Sequence, residues 1–413
     1  MFKKHLKLSC LVAAFVLTAP GWALAAEPMD QAVLDELRAL KARVLELENN
    51  LEKAHSAASD ARKAAAEARQ TSTRSLKLSE QLSKTKKDQP QGLLSEAGKR
   101  LKLYGAVEVE ASWERKDKKK GKSETSSDVS LATAELFVEA AINDYTKGVL
   151  HFLYEEGGSD SVEIDEAFIL LGQTEKMPWY LMGGRIYPAV GLFESSFVSD
   201  PLSLELFETQ ETAGEIGYAG RWFNVGVGTF NSAVHQRSDD PDSMINTYYG
   251  RFQFDAPNDF FPDGDIAAGI AYVNNIAASN FLRDHVVDQR LENLVGGWSA
   301  MVRADYRKFS FTAEYITALD DFKAGELDFA DGKKTKPWAY NLELAYRPTD
   351  AWTFAGKYEK AGDVFEEFPE TRWGAVASWQ FLPDTVLSLE YLRGEFENGD
   401  TTDTVTTQLA VSF

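Results

Sequence analysis

Residues 103–113 read LYGAVEVEASW, and from Val107 onward apolar side chains alternate with charged or polar ones. This period of two places the apolar residues on one face of a β-strand and Glu108 and Glu110 on the other. Stretches that begin near residues 133, 298, 340 and 372 repeat the pattern. Aromatic residues recur near the ends of these segments, which are about 9–11 residues long, the span of a tilted strand in a transmembrane barrel.

Segments of this kind follow one another from residue 101 to residue 413, and we count sixteen of them. The connections between them alternate between long and short. The long ones run over residues 114–128, 188–212, 231–244, 277–294 and 319–337. Long outer loops and short periplasmic turns are typical of outer-membrane barrels. The sequence therefore predicts an all-β transmembrane β-barrel of 16 antiparallel strands, with both termini in the periplasm.

The two ends of the chain also predict export to the outer membrane. Lysines at positions 3, 4 and 7 precede an apolar core of about ten residues, and Ala23-Leu24-Ala25 follows it. This layout predicts a signal peptide over residues 1–25, because a spanning helix needs about 20 apolar residues. The last residues, 409–413, read LAVSF and resemble the C-terminal signal of bacterial outer-membrane proteins.

Between the signal peptide and the barrel, residues 26–88 predict an α-helical coiled coil in the periplasm. Small or apolar side chains recur at spacings of three and four from Leu37 to Ala68. The alternative is a single amphipathic helix that lies on the barrel. Residues 89–100 form the predicted linker, and residues 101–413 form the barrel. The coiled coil would allow contact with peptidoglycan, and a homotrimer would match the usual assembly of porins.

Composition excludes several classes of function. The chain has a formal net charge of -20, which argues against nucleic acid as a partner. Cys10, inside the signal peptide, is the one cysteine, so disulfides and cysteine-ligated metals are not expected in the mature chain. No sequence motif of a hydrolase or a zinc protease is present. We expect no enzyme activity, no catalytic residue, no cofactor and no metal site, and we expect contact with outer-membrane lipid and lipopolysaccharide.

Sixteen strands enclose a water-filled lumen, whereas about eight would be filled by side chains. A passive channel is therefore the expected function. Strand parity places more acidic than basic side chains on the lumen face, and carboxylates favour cations. The predicted lumen lining includes Arg185, Arg251, Arg303, Lys357, Arg372, Glu135, Glu139, Asp165, Glu314 and Glu343.

The long connection after the fifth strand is more apolar than the other outer loops. It contains three phenylalanines between residues 193 and 207 and three leucines between residues 202 and 206. We predict that it folds into the lumen and narrows the pore. It would then present five acidic side chains, Glu194, Asp200, Glu205, Glu208 and Glu211. The alternative is a loop that packs against a neighbouring subunit.

Several stretches resemble the legiobactin-receptor (LbtU) family of siderophore porins, within the wider group of coiled-coil outer-membrane porins. They are LYGAVEVE at 103–110, AELFVEA at 134–140, VEIDEAF at 162–168, GR at 184–185, GLFES at 191–195, SDPL at 199–202 and ETQE at 208–211. The resemblance spans nearly the whole mature chain. It implies TonB-independent uptake of a ferric siderophore, and it carries over no ligand residue.

The predicted function is therefore an outer-membrane porin for a ferric siderophore or a similar small solute. Two alternatives stay open, a general cation-leaning diffusion porin and a structural outer-membrane tether. A TonB-dependent receptor needs a 22-stranded barrel and a globular plug, for which the region before residue 101 is too short. An anion-selective porin would want basic residues along the lumen, and the acidic excess argues against it.

Overall fold

The computed structural model describes residues 100–157, 161–174, 177–238, 244–257, 260–261 and 263–413. The predicted signal peptide, the predicted coiled coil and residues 89–99 of the predicted linker lie outside this range. Within it, every helix is too short or too polar to cross a membrane.

The described residues form sixteen long antiparallel strands, as the alternating pattern predicts. In the first half these are β1 (Leu101–Asp117), β2 (Glu124–Asn143), β3 (Thr146–Tyr154), β4 (Glu163–Thr174), β5 (Met177–Ile186), β6 (Glu211–Ala219), β7 (Phe223–Phe230) and β8 (Thr247–Asp255). In the second half they are β9 (Gly264–Val273), β10 (Gly297–Tyr306), β11 (Phe309–Ala318), β12 (Trp338–Thr349), β13 (Trp352–Gly362), β14 (Thr371–Leu382), β15 (Thr385–Glu395) and β16 (Thr401–Ser412).

These strands close into one barrel in which each strand pairs with its neighbours in sequence, and β16 pairs with β1. The closing ladder runs from the pair Ala106–Ser412 to the pair Asp117–Thr401. At its periplasmic end, Gly105 and Phe413 exchange two backbone hydrogen bonds of 3.0 Å each. A side chain at Gly105 would lie 2.2 Å from the backbone oxygen of Glu135, so only glycine allows this close approach.

The first outer connection is shorter than the sequence predicts, which corrects the loop expected over residues 114–128. β1 and β2 stay paired as far as Lys116 and Glu124. Ser and Thr supply most of β2 between residues 124 and 130, and such polar residues continue a ladder in water as readily as they form a loop. The hairpin therefore extends beyond the apolar band before it turns at residues 118–123.

Two aromatic girdles border an apolar outer surface. Near the periplasmic turns, the Trp352 and Trp379 rings stack at 5.5 Å. Near the outer ends, the rings of Trp298 and Tyr315 lie 5.5 Å apart. Between the girdles, outward side chains such as Leu344 remain about half exposed. An exposed apolar band between aromatic girdles faces lipid, so this is a transmembrane barrel.

The outer connections carry short elements that pack inside the mouth of the barrel. They are α1 (Leu202–Phe207), α2 (Asn280–His285), 3-10 turns at Ile276–Ala278, Val287–Gln289 and Asp328–Ala330, and a parallel pair of two-residue strands, His235–Gln236 and Arg290–Leu291. Leu204 and Leu206 of α1 are fully buried in one apolar cluster with Ile276, Leu282 and Phe322. The apolar character of the connection after β5 thus has a packing cause.

Deletion of Phe413 tests whether the closing seam depends on its last pair. The change removes both backbone bonds to Gly105, so we expect less protein in the folded form that migrates faster on gels when it is not boiled. Phe413→Tyr, which keeps the backbone and the ring, is the matched control. Equal folded fractions for the deletion and the control would contradict this role of Phe413.

Candidate functional site

The connection between β5 and β6, residues 187–210, is called the inner loop here. It leaves β5 and hydrogen-bonds to inward-facing side chains of β11, β12, β13 and β15. In a closed ring of sixteen strands, β13 is eight positions from β5 and lies directly opposite. The inner loop therefore crosses the lumen and rests on the far wall.

Carboxylates on the far wall accept backbone N–H groups of the inner loop. The two oxygens of Glu314 accept from Leu192 at 2.5 Å and from Phe193 at 3.1 Å. Glu343 accepts from the Ser196 N–H at 2.9 Å and from the Ser195 hydroxyl at 2.6 Å. Hydrogen bonds to charged groups are about twice as strong as neutral ones, so each carboxylate is an anchor for the loop.

Two more wall carboxylates extend this arrangement along the loop. Glu390 accepts from the Val198 N–H at 2.5 Å and from both the N–H and the hydroxyl of Ser199. Glu359 accepts from the Leu202 N–H at 2.9 Å. Together with Glu314 and Glu343, they are at most 4% exposed. The wall thus satisfies backbone groups that the buried loop would otherwise leave unpaired.

Basic side chains of the barrel wall bind backbone carbonyl groups and acidic side chains of the inner loop. Arg372 contacts Glu359 at 2.7 Å, Glu205 at 2.8 Å and the backbone oxygen of Asp200. Lys357 donates to the backbone oxygen of Ser199 at 3.1 Å. Burial raises the pKa of Glu205, and the neighbouring Arg372 guanidinium acts in the opposite direction. Arg372 therefore favours the charged form of the loop carboxylate that it binds.

Phe193 adopts a left-handed backbone conformation, with φ of 54°. This conformation is strained for a bulky residue and persists where the surroundings enforce it. Here the N–H of Phe193 is bound to Glu314, and its side chain is buried against the apolar cluster. The anchor and the packing together hold the turn that directs the loop across the lumen.

The five acidic residues predicted for the loop occupy different environments. Glu194 contacts Arg303 of β10 at 3.0 Å, and Glu205 contacts Arg372. Asp200 is 6% exposed and offers its backbone oxygen to Arg372. Glu208 and Glu211 lie instead beside α2 and accept from Asn280 or approach Arg283 at 3.6 Å. The five carboxylates are thus spread from the inner loop to the first residue of β6 and do not form one ring.

The predicted lumen lining divides into four groups. Arg303, Lys357, Arg372, Glu314 and Glu343 bind the inner loop. Glu135, Glu139 and Asp165 lie on the inner face of β2 and β4, where Glu139 is 3.8 Å from Lys102. Arg185, near the outer end of β5, is exposed and shares the parity of Trp179 and Leu181. Its guanidinium donates to Oε1 of Gln210, the last residue of the inner loop, at 2.5 Å and to the backbone oxygen of Asp165 at 3.1 Å.

Arg251 belongs to a network on β5, β6 and β8 that the sequence did not indicate. Glu215 accepts from Tyr180 at 2.5 Å, from Tyr249 at 2.7 Å and from Arg251 at 3.3 Å. The sequence feature that could have indicated this network is the position of two glycines. A side chain at residue 217 would collide with the Tyr180 ring, and one at residue 228 would collide with the Tyr249 ring. Gly217 of β6 and Gly228 of β7 thus leave the space for two inward tyrosines.

Comparison with known proteins gives the class of the fold. The chain is similar to the porin OmpF of Salmonella typhi, at 12% identity over 78% of this chain and 99% of that chain, with a TM-score of 0.52. It is also similar to an anion-selective porin of Comamonas acidovorans, at 12% identity over 76% of this chain and 99% of that chain, with a TM-score of 0.53. These likenesses show a porin-type barrel fold.

Relatives in sequence include proteins of Legionella pneumophila and Coxiella burnetii. The chain is 22% identical over 310 residues to a UPF0422 protein of Legionella pneumophila strain Lens, covering 67% of this chain and 56% of the relative. It is 23% identical over 286 residues to a UPF0422 protein of Coxiella burnetii, covering 64% of this chain and 58% of the relative. The chain thus spans little more than half the length of these relatives. No family model matches it.

Glu314→Gln tests the anchoring of the inner loop. An amide has one acceptor oxygen, so one of the two N–H groups at Leu192 and Phe193 loses its partner. We expect the free energy of unfolding in urea to fall by about 1.5–3 kcal/mol. We also expect faster chymotrypsin cleavage in the loop.

Glu397→Gln is the matched control, because Glu397 is exposed in the last outer connection. Its effect should stay within about 0.5 kcal/mol. If Glu314→Gln and Glu397→Gln unfold at the same urea concentration, the wall carboxylates do not anchor the loop.

Proposed function

We propose that the protein is an outer-membrane channel whose path is narrowed by the inner loop. The observation that carries the proposal is the set of four wall carboxylates, Glu314, Glu343, Glu359 and Glu390, that accept hydrogen bonds from this loop. A sixteen-stranded barrel is wide enough for an aqueous lumen. A segment anchored to the far wall divides that lumen and leaves a smaller path beside it.

The inner loop bonds to strands β10 through β15, so the proposed path runs along the wall formed by β16, β1 and β2. Inward side chains of β1, including Glu108 and Glu110, are half-buried, whereas the loop anchors are buried. Gln408 of β16 donates to Glu108 at 3.2 Å and to Glu110 at 2.8 Å. This pair of carboxylates faces the path and favours cations.

Single-channel recording in planar bilayers tests the channel and its selectivity. We expect small, steady conductance and a reversal potential that indicates cation preference under a salt gradient. The double variant Glu108→Gln and Glu110→Gln should lower the ratio of cation to anion permeability, because two charges leave the path.

The control is again Glu397→Gln, which should leave the reversal potential unchanged. A reversal potential that does not move in the double variant would place the path elsewhere. Absence of any conductance would overturn the channel and favour the structural tether.

For the solute, we propose a ferric siderophore or a similar small solute, taken up without TonB. The support is the resemblance to the legiobactin-receptor family, including GLFES at 191–195 and SDPL at 199–202, which lie in the inner loop. We expect micromolar ferric siderophore to block the current. Currents that are indifferent to it would favour the alternative, a general cation-leaning diffusion porin.

We also propose that the barrel assembles as a homotrimer in outer-membrane lipid. The exposed outward side chains of the middle of β2, β3 and β4 are aliphatic, namely Leu136, Leu150, Ile164, Ile169 and Leu171. Aromatic girdles mark the lipid interface, and an aliphatic face suits contact with a second copy. Lipopolysaccharide at the outer hairpin and peptidoglycan at the N-terminal segment are further proposed partners.

A further inference from the structure

A group of side chains of the types that ligate metals lies on the inner face of β2, β3 and β4, away from the anchors of the inner loop. His151 of β3 is fully buried, and Asp165 and Glu166 of β4 are 4% and 6% exposed. One potential ligand atom from each of these three residues lies within 4.8 Å of the other two. Glu135 of β2 lies on the other side of the His151 ring.

A β-bulge aims two consecutive carboxylates at His151. His151 pairs with Glu166, but the next residue of β3, Phe152, pairs with Ile164, so Asp165 is the extra residue. In a regular strand Asp165 and Glu166 would point to opposite faces. The bulge turns both toward the lumen, and Ile164 remains half exposed on the outer face. Bulges that redirect a side chain are common beside functional sites.

Both nitrogens of the His151 ring face carboxylates. Nδ1 is 2.7 Å from Oδ2 of Asp165, and Nε2 is 3.2 Å from Oε2 of Glu135. The ring also stacks on Phe137 with 3.8 Å between centroids and an angle of 12°. The imidazole is therefore fixed in position and in rotation before any ligand arrives.

Asp165 is also held by hydrogen bonds to its second carboxylate oxygen. Its Oδ1 accepts from the Tyr187 hydroxyl at 2.7 Å and from Nε2 of Gln210 at 2.7 Å. Proteins orient metal ligands in this way: a ligating histidine donates its other N–H to a carboxylate, and a ligating carboxylate is itself hydrogen-bonded. Here Glu135 is the carboxylate that faces the second nitrogen of His151. Tyr187 and Gln210 are the groups that hydrogen-bond to Asp165.

We propose that His151, Asp165 and Glu166 bind a divalent transition-metal ion of the Zn²⁺ type. An imidazole nitrogen among the ligands favours zinc and similar metals over Ca²⁺ and Mg²⁺, which prefer oxygen ligands. With Glu135, the cluster holds three carboxylates around one imidazole. One guanidinium lies beside it, that of Arg185, which donates to the backbone oxygen of Asp165 at 3.1 Å, and a divalent cation offsets the remaining negative charge. The ion would take the place of the hydrogen bond between Nδ1 of His151 and Oδ2 of Asp165, so that both atoms become ligands, while Nε2 keeps its proton and faces Glu135 at 3.2 Å.

The sequence did not indicate this site, because His151 and Asp165 are fourteen residues apart on separate strands. In addition, regular alternation assigns Asp165 and Glu166 to opposite faces. The pairing of β3 with β4 and the bulge bring the ligands together.

Metal binding at this site would also affect the position of the inner loop. Tyr187 and Gln210 are its first and last residues, and both bond to Asp165. An ion bound to Asp165 would therefore tie both ends of the loop to β3. This consequence for the pore rests on the proposed channel function, whereas metal binding itself does not.

The test measures metal binding to the full-length barrel purified from outer membranes and stripped with chelator. Calorimetric titration with Zn²⁺ should give one site per chain, and Ca²⁺ should bind at least tenfold more weakly. His151→Gln should abolish this site. Glu135→Gln, which removes the acceptor behind the ring, should lower affinity by about 10- to 100-fold.

The matched control is His285→Gln, since His285 forms another histidine–aspartate pair, 2.7 Å from Asp328, in the outer connections. This variant should keep full Zn²⁺ binding. If gel electrophoresis without boiling shows that the His151→Gln variant is not folded, Zn²⁺ binding is measured with the Glu166→Gln variant instead.

Wild-type stoichiometry in a folded His151→Gln or Glu166→Gln variant would overturn the proposal. Equal affinity for Ca²⁺ would overturn the assignment to a transition metal. If the channels conduct but the protein does not bind Zn²⁺, the metal site is rejected and the proposed channel is not. If the protein binds Zn²⁺ but does not conduct, the proposed channel is rejected and the metal site is not.

Discussion

The structure depends on one constraint: backbone N–H and C=O groups need partners wherever water is absent. In the lipid layer a chain that crosses with strands meets this demand only as a closed sheet, because an open sheet leaves two unpaired edges. The ladder between β16 and β1, down to the bonds between Gly105 and Phe413, closes the sheet. Once the ring is closed, the alternation of side chains follows, with apolar groups toward lipid and polar groups toward the lumen.

The same constraint acts again inside the barrel, on the inner loop. Its leucines and phenylalanines pack into a buried apolar cluster, which removes the adjoining backbone from water. The loop has no neighbouring strand, so the wall supplies acceptors as side chains. Glu314 and Glu390 each receive two backbone N–H groups and therefore take the part that a neighbouring strand would play. Much of the acidic excess on the lumen wall is thus structural.

The strands and the faces of their side chains could be predicted from the sequence, because a period of two is visible within each strand. Lipid on the outer side requires an apolar residue at every second position, and this makes the pattern regular. The apolar inner loop was also visible as an outlier among polar loops. Pairwise details were not available: the bulge at Asp165 and the long first hairpin each depend on register. Register is decided between strands, and a pattern within one strand does not contain it.

For the same reason, lumen charge cannot be read from composition alone. Glu314 and Glu108 have the same parity and the same side chain, yet one is buried under the loop and the other borders the proposed path. A carboxylate bound to backbone N–H groups has its field largely cancelled by those dipoles at close range. A half-buried carboxylate acts on ions in the path. Selectivity should therefore follow the few acids on the wall that the loop leaves uncovered, and the net charge of -20 is a poor guide to it.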